Sequence, residues 1–167
     1  QFGCVQDVTA YPFDLAKAKA LMKASAHPNG FETSIAAFTE NGHVAEAVIC
    51  DLREICIKAK LDFRETSAWV KDFFGGKLMA AVVPWPSNGV NDVSALVPFF
   101  FMGGQGDYAR DPEVIDWFRK AGSINDAEER KRLYRLGFEK VAREALAVPL
   151  MTNVTNYAYR EGLDFVP

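Results

Sequence analysis

The residues best placed to bind a small molecule lie in the stretch Met79–Asp92, MAAVVPWPSNGVND. Its apolar first half predicts a strand, and Trp85 follows at the point where that strand ends. Prolines on both sides of Trp85 stiffen the backbone and remove two amide donors, and Ser87 and Asn88 then lead into a tight turn. A rigid turn that presents an aromatic ring and a short amide suits ligand binding. It equally suits a core tryptophan that closes the end of a strand.

Other patterns that could support chemistry are weak. The chain has no G-x-S-x-G, Walker, H-E-x-x-H or C-x-x-C pattern, and we expect neither a metal ion nor a cofactor. The segment Gly104–Ala109 matches G-x-G-x-x-A, but it does not directly follow a strand, as a dinucleotide-binding turn does. The two histidines, His27 and His43, fall in predicted turn or cap positions. A stand-alone α/β enzyme with a site near Trp85, Asn88 and His43 stays open as the alternative interpretation.

The composition is typical of a globular chain. The 167 residues are 49% hydrophobic and 25% charged, with a net charge of −3, which fits one domain or one lobe of a larger protein. Basic residues are interleaved with acidic ones, so nucleic acid is not an expected partner. The longest apolar run, near Ala95–Met102, is too short to cross a bilayer. The odd number of cysteines argues against a disulfide framework, and we predict that all three are small buried residues.

The elements that must position these residues alternate along the chain. Apolar periodicity and turn signals predict strands near residues 31–38, 58–65, 78–83 and 149–161, and helices at 14–25, 41–56, 66–74, from 111, and 125–146. This order predicts an α/β fold in which helices flank a mostly parallel sheet. The strand near 78–83 is apolar at every position, so we predict that it is central and buried on both faces.

The strand ends define a candidate site. Ligands of open α/β sheets bind beyond the carboxyl ends of the strands. Trp85, Ser87 and Asn88 follow the third predicted strand, and Phe38 and Thr39 lie where the first one ends. The sequence therefore predicts a ligand-binding edge to which these five residues contribute.

Several segments, in order, resemble one family. They are AYPFDLAKAKALMKASAHPNGFE, HVAEAVICDLREICIKAKLDF, YARDPEVIDWF and INDAEERKRLYRLGFEKVAREALAVPLMTNVTNYAYREGL. Together they resemble the second lobe of family 5 extracellular solute-binding proteins, the dipeptide-, oligopeptide- and nickel-type binding proteins of ABC importers. The resemblance implies that residues 14–167 form a single periplasmic-binding-protein-like lobe, the C-terminal lobe of a larger two-lobed protein. Residues 1–13 are then an N-terminal arm.

The resemblance implies transport rather than catalysis. The chain would supply one wall of a cleft between two lobes and bind a peptide-like or related small molecule for ABC-type import. Its partners would be the missing lobe of the same chain and the permease subunits at the membrane. The location would be the periplasm or the outer cell surface. The first residues lack the regions of a signal peptide, so we expect the signal ahead of Gln1.

The resemblance also bears on specificity. In peptide-binding members the segment after the buried strand reads G-W-x-G-D, and its Asp pairs with the ligand's α-ammonium. Trp85 matches the Trp, Pro84 replaces the first Gly, and Asn88 stands at the Asp, where an amide cannot supply a charge-assisted bond of the same strength. The loop FTENGHVAE, residues 38–46, lacks the Arg that dipeptide binders carry for the ligand carboxylate. The resemblance therefore implies a neutral, acidic or otherwise modified solute, with Trp85 stacking on it and Asn88 hydrogen-bonding to it.

Overall fold

The computed structural model describes residues 1–86 and 89–152, and the single residues 158, 160 and 162. Its helices are α1 (Leu15–Ala24), α2 (Gly42–Arg53), α3 (Thr66–Phe74), α4 (Val97–Phe100), α5 (Pro112–Ser123) and α6 (Ala127–Arg143). Its strands are β1 (Glu32–Phe38), β2 (Lys58–Arg64) and β3 (Ala80–Ala81). No helix in the described part of the chain combines the length and apolar character needed to cross a membrane. Most of the predicted last strand lies outside the described residues.

The three strands form a parallel sheet in the order β2-β1-β3. Strand β1 pairs with β2 over its whole length, from Glu32 opposite Lys58 to Phe38 opposite Arg64. It is the central strand, and its residue Ala37 is fully buried. The predicted fold, a mostly parallel sheet flanked by helices, is confirmed.

Alternate side chains of β1 enter two different cores. Ile35 and Ala37 pack with Ala45 of α2 on one face of the sheet. Ala36 packs with Trp69 of α3 on the other. Because successive side chains of a strand point to opposite faces, one helix covers each side of the sheet, and the small side chains of β1 allow both helices to approach closely.

The third strand differs from the prediction. Only Ala80 and Ala81 pair with β1, and among the described strands β3 lies at the edge of the sheet, so its predicted central position stays a prediction. Met79 is 75% exposed. Val82 packs on the α2 side of the sheet and Val83 on the α3 side. In the part of the chain that the structure describes, the continuous apolar pattern therefore reflects burial on alternate faces where the strand ends.

Helices α5 and α6 form the second main core. Asp111, where this helix is predicted to begin, caps α5 and accepts the backbone N–H groups of Glu113 and Val114 at 3.1 and 3.0 Å. The cap of α6 is Asp126, one residue after the predicted start of this helix at 125. The buried apolar residues of this core come from both helices and from the segment before α5: Val93, Val97, Phe101, Val114, Phe118, Ala121, Leu133, Tyr134 and Val141.

An ion pair joins the start of α5 to the last turns of α6. The side chain of Lys140 is only 11% exposed, and its Nζ lies 2.8 Å from a carboxylate oxygen of Asp111 and also contacts Glu113. Hydrogen bonds to Asp111 and then to Glu113 raise the pKa of Lys140 above its ordinary value. The Lys140 ammonium in turn lowers the pKa of Asp111. One cation therefore neutralises the capping carboxylate of α5 and fixes the two helices together.

Two further expectations concern the surface. Cys4, Cys50 and Cys56 are free and exposed, so the prediction that they are buried is wrong; Cys50, for example, lies beside the core residue Ile49 but on the outer side of α2. Residues 1–13 lead into α1, whose residues are not buried. The division into an arm and a single lobe stays a prediction.

Candidate ligand-binding edge

The carboxyl ends of the strands meet at one edge of the sheet. Strand β1 ends at Phe38, directly opposite the last residue of β2, Arg64. On the other side, the Val82 N–H donates to the Ala36 carbonyl at 3.0 Å, so the chain keeps following β1 beyond β3 toward Trp85. The segments that carry the predicted site residues therefore leave the sheet at the same edge.

Trp85 is half-buried at this edge, and its ring is held by its neighbours. The ring centroid lies 4.6 Å from that of Phe99 and 4.8 Å from that of Phe100. The indole Nε1–H donates to the Ala95 carbonyl, with the two heavy atoms 3.4 Å apart. Because this donor is already used, Trp85 can offer a ligand the apolar surface of its ring but no new hydrogen bond. Contact between Trp85 and a ligand stays a prediction.

An aromatic network links the two strand ends. The half-buried Phe38 packs edge-on against Trp69 at 4.5 Å, and Trp69 stacks on Phe73 at 4.8 Å. Phe73 then contacts Phe100 at 5.9 Å, and Phe100 contacts Trp85. Edge-to-face and offset aromatic pairs contribute roughly 0.5–1.5 kcal/mol each beyond the area they bury. The network thus holds Phe38 and Trp85 in fixed relative positions.

Trp69 carries a polar group that sequence patterns do not reveal. Its side chain is 3% exposed, and its Nε1–H has no hydrogen-bond partner among the described residues. A buried donor without a partner costs roughly 1–3 kcal/mol. In the sequence Trp69 is simply an apolar position on a short helix. Only the structure, in which Trp69 packs beside Phe38, reveals that its N–H donor is buried.

Arg64 is a second residue that the sequence analysis missed. Its side chain is 28% exposed, with Nη2 2.6 Å from Asp62 and Nη1 in contact with Asp72. The hydrogen bond to Asp62 is the largest cause of the raised pKa of Arg64. Asp72 also pairs with Lys77 at 3.2 Å, and this hydrogen bond chiefly lowers the pKa of Asp72. A cation is therefore present at the edge, but carboxylates from its own strand and from α3 compensate its charge.

The structure locates only some of the remaining predicted site residues. Ser87 and Asn88 lie outside the described residues, so their positions stay predictions. The backbone of Thr39 begins a short 3-10 turn, Thr39–Asn41, that leads from β1 into α2. His43, which belongs to the alternative enzyme interpretation, is exposed in the first turn of α2.

Two pockets lie away from this edge. One, with a volume of about 340 Å³, lies between α5 and α6 and is lined by Trp117, Leu133 and Leu136 among others. The other, of about 220 Å³, lies beside residues 1–5. Neither includes a predicted site residue. Across residues 1–86 and 89–152, no group of three or more His, Cys, Asp or Glu side chains is arranged to hold a metal ion.

The fold is shared with a known class of protein. Solved structures that share this fold include ABC transporter-associated periplasmic binding proteins, and the resemblance to family 5 extracellular solute-binding proteins is confirmed. No family model matches the chain.

Three relatives illustrate the similarity. DppA from Helicobacter pylori, solved in complex with the peptide STSA, is 27% identical with a TM-score of 0.81, over 89% of this chain and 31% of that chain. HbpA2 from Haemophilus parasuis is 30% identical with a TM-score of 0.77, over 87% of this chain and 31% of that one. Heme-binding protein A of Haemophilus influenzae is 27% identical over 159 residues, which are 89% of this chain and 29% of the relative. The chain therefore spans less than a third of the length of these relatives.

Proposed function

We propose that this chain is one lobe of a longer solute-binding protein for ABC-type import. It supplies one wall of the cleft between two lobes and catalyses no reaction. The observation that carries the proposal is the similarity to H. pylori DppA, which has a TM-score of 0.81 across 89% of this chain but only 31% of that chain. The similarity to binding proteins supports a binding role, and it gives no support to an enzyme with a site near Trp85, Asn88 and His43.

The wall of the cleft in this proposal is the carboxyl edge of the sheet. Trp85 and Phe38 offer ring surface to the solute, and Thr39, Ser87 and Asn88 offer hydrogen bonds. The half-buried state of both rings and the aromatic network between them support this assignment. Rigid, partly exposed aromatic residues bind ligands well because they lose little conformational entropy on binding.

The proposed solute is peptide-like or a related small molecule, and it is neutral, acidic or otherwise modified. Asn88 cannot form an ion pair with a free α-ammonium, and Arg64 already has two carboxylate partners. The DppA relative was solved with a peptide, and another relative is a heme-binding protein. The proposed partners are the second lobe of the same protein and a membrane permease, and the proposed location is the periplasm or the outer cell surface.

The first experiment identifies the solute in the full-length protein. Mass spectrometry of small molecules released from the purified protein is followed by calorimetric titration with Ser-Thr-Ser-Ala, with its N-acetylated form and with hemin. We expect a co-purified or titratable solute in the full-length protein and no tight binding by residues 1–167 alone. Tight, stoichiometric binding by residues 1–167 would contradict the two-lobe account, and a full-length protein that binds no solute would contradict the transport role.

The second experiment tests the assignment of Asn88. In the full-length protein, Asn88→Asp introduces a carboxylate that can pair with a free α-ammonium. We expect a gain of about tenfold or more in affinity for Ser-Thr-Ser-Ala over its N-acetylated form, since a charge-assisted hydrogen bond contributes roughly 1.5–3 kcal/mol. Equal affinities for the two peptides in this variant would show that residue 88 does not face the ligand's amino end.

A further inference from the structure

Arg130, in the first turn of α6, contacts several separate parts of the chain. Its Nε–H donates to the Ala121 carbonyl near the end of α5, at 3.1 Å. Its Nη2 lies 3.1 Å from a carboxylate oxygen of Asp92, in the segment that follows Trp85. Its guanidinium carbon lies 4.7 Å from the centre of the Phe2 ring. One side chain thus joins α5, α6, the segment after Trp85 and the first residues of the chain.

Asp92 lies at a junction in the backbone. Phe2 pairs with Asp92 in a parallel bridge, in which the Phe2 N–H donates to the Asn91 carbonyl at 2.9 Å and the Val93 N–H donates to the Phe2 carbonyl at 3.0 Å. The Asp92 carboxylate also accepts the Ser94 N–H at 2.8 Å. Burial acts to raise the pKa of Asp92, but hydrogen bonds from Ser94 and Arg130 outweigh it and lower the pKa. The carboxylate is therefore ionised at neutral pH and available to Arg130.

The backbone next to Phe2 approaches α6 closely. Gly3 is buried, and its φ of +76° is a conformation that favours glycine. A Cβ atom at this position would lie 2.7 Å from the side chains of Tyr134 and Val93. Residues 1–3 are therefore packed between α6 and the segment that follows Trp85.

We propose that Arg130 is a positioning residue for the ligand-binding edge, fixing the far end of the loop that begins at Trp85 against residues 1–3 and α6. The inference rests on the proposed function. The Trp85 indole N–H donates to Ala95, three residues beyond Asp92, so the segment that Arg130 fixes is the one that holds the Trp85 ring. Any shift of Asp92–Ala95 therefore moves the proposed ligand surface.

The planar guanidinium is essential to this role. It donates to Ala121, to Asp92 and, at 3.4 Å, to the Tyr134 hydroxyl, while its central carbon lies over the Phe2 ring. A lysine ammonium is a point charge that cannot reproduce this combination of fork and flat face. Arg130→Lys is therefore expected to keep the charge but to lose most of the positioning.

The test uses the full-length protein and compares Arg130→Gln and Arg130→Lys with a matched control, Arg132→Gln. Arg132 lies on the same helix, is 59% exposed and pairs with Glu129 alone among the described residues. The first measurement is hydrogen exchange, by mass spectrometry, of peptides covering residues 1–5 and 89–96 in the ligand-free protein. The second is the affinity for N-acetyl-Ser-Thr-Ser-Ala and for hemin, each titrated separately.

We expect Arg130→Gln to speed exchange in both peptides by about tenfold, equivalent to roughly 1.4 kcal/mol. We also expect it to weaken binding of whichever probe the wild type binds by a similar factor. Arg132→Gln should change neither the exchange rates nor the affinity by more than about twofold, in keeping with an exposed ion pair. Arg130→Lys, which retains the charge, should resemble Arg130→Gln and serves as the second variant if the glutamine protein does not fold.

Unchanged exchange in the Arg130 variants would overturn the inference, and so would wild-type affinity despite faster exchange. If the wild type binds neither probe, the proposed solute class fails. The exchange measurement on the ligand-free protein still decides whether Arg130 fixes this junction. The failure of the proposed function and the failure of the inference therefore give different results.

Discussion

The core between α5 and α6 and the carboxyl edge of the sheet use aromatic residues in opposite ways. In the helical core Phe118 and Tyr134 are each 1% exposed. At the edge Phe38 and Trp85 are both half-buried. A residue that is fully enclosed contributes stability, whereas a residue that is held on one side and open on the other can also contact a ligand. Under the proposed function, the helices supply rigid support and the edge supplies the ligand-binding surface.

Helix α4 connects the two regions. Phe100 contacts Trp85 and Phe73 on the sheet side, at 4.8 and 5.9 Å between ring centres. The next residue, Phe101, contacts Phe118 in the helical core at 5.9 Å. Because Phe100 and Phe101 face different sides, the α4 segment fixes the position of the edge relative to the helical core. Sites supported in this way hold their geometry better than sites on free loops.

The largest expected effect is that of Phe118→Ala. The ring is enclosed by Phe101, Tyr134 and Phe138, so the truncation leaves a cavity and should cost about 3–5 kcal/mol of unfolding free energy. The matched change at the edge, Phe38→Ala, should cost less because solvent already reaches that ring. Urea denaturation of both variants checks this. Equal losses would show that the edge is part of the core.

The next effect concerns two helical glycines. A Cβ at Gly137 would lie 2.2 Å from the Phe118 ring, whereas a Cβ at Gly122 has no heavy atom within 4 Å. We expect Gly137→Ala to lower the unfolding free energy by about 1–3 kcal/mol through overpacking. Gly122→Ala should be neutral or stabilise by up to about 1 kcal/mol through better helix propensity. A stable Gly137→Ala protein would contradict the close packing of α6 on α5.

The ion pair of Lys140 gives a smaller effect that depends on pH. Lys140→Met leaves the carboxylates of Asp111 and Glu113 without their shared cation, so the melting temperature should fall at pH 7. The pKa of Asp111 is lowered in the folded state, so this contribution is present above the ordinary Asp value of about 3.9 and is lost as the pH falls through the folded-state pKa. Melting curves of both proteins from pH 2 to 7 should therefore converge at the acid end. A constant difference across this range would rule out the linkage.

The structural features that could be predicted from the sequence are those that depend on local signals. The helix starts at Asp14 and Asp111 were correct because an N-cap acts on backbone N–H groups two or three residues away. The parallel α/β fold followed from the order of the elements. The edge position of β3 among the described strands could not be predicted, since an apolar run does not report how many neighbours a strand has.

The predicted site could be located only in part. The positions of Phe38 and Trp85 where two strands end follow from the order of the strands, and the structure brings both residues to one edge of the sheet. The roles of Arg64, Trp69 and Arg130 depend on contacts with residues distant in the chain or on the register of two strands, which periodicity does not encode. Even within α2 the buried residues are Gly42, Ala45 and Ile49, whereas Val44 and Val48 beside them are half-buried. Neighbouring helical positions differ by only about 100°, so apolar periodicity alone does not separate them.

The smallest stability change we expect is that of Trp85→Phe, and it separates the two possible roles of this residue. The variant keeps a ring against Phe99 and Phe100 but removes the Nε1–H bond to Ala95, which is long at 3.4 Å. Unfolding free energy should therefore fall by no more than about 1 kcal/mol, and affinity for the solute of the full-length protein should stay within a few-fold of the wild type.

Trp85→Ala removes the ring itself and should weaken solute binding by tenfold or more, since truncating an aromatic contact in a binding site often costs about 2 kcal/mol. Its loss of stability should remain below that of Phe118→Ala, because the Trp85 ring is open to solvent on one side. If Trp85→Ala instead destabilises as much as Phe118→Ala and leaves affinity unchanged, the ring only closes the end of the strand. The proposed ligand-binding surface would then have to lie elsewhere on the edge.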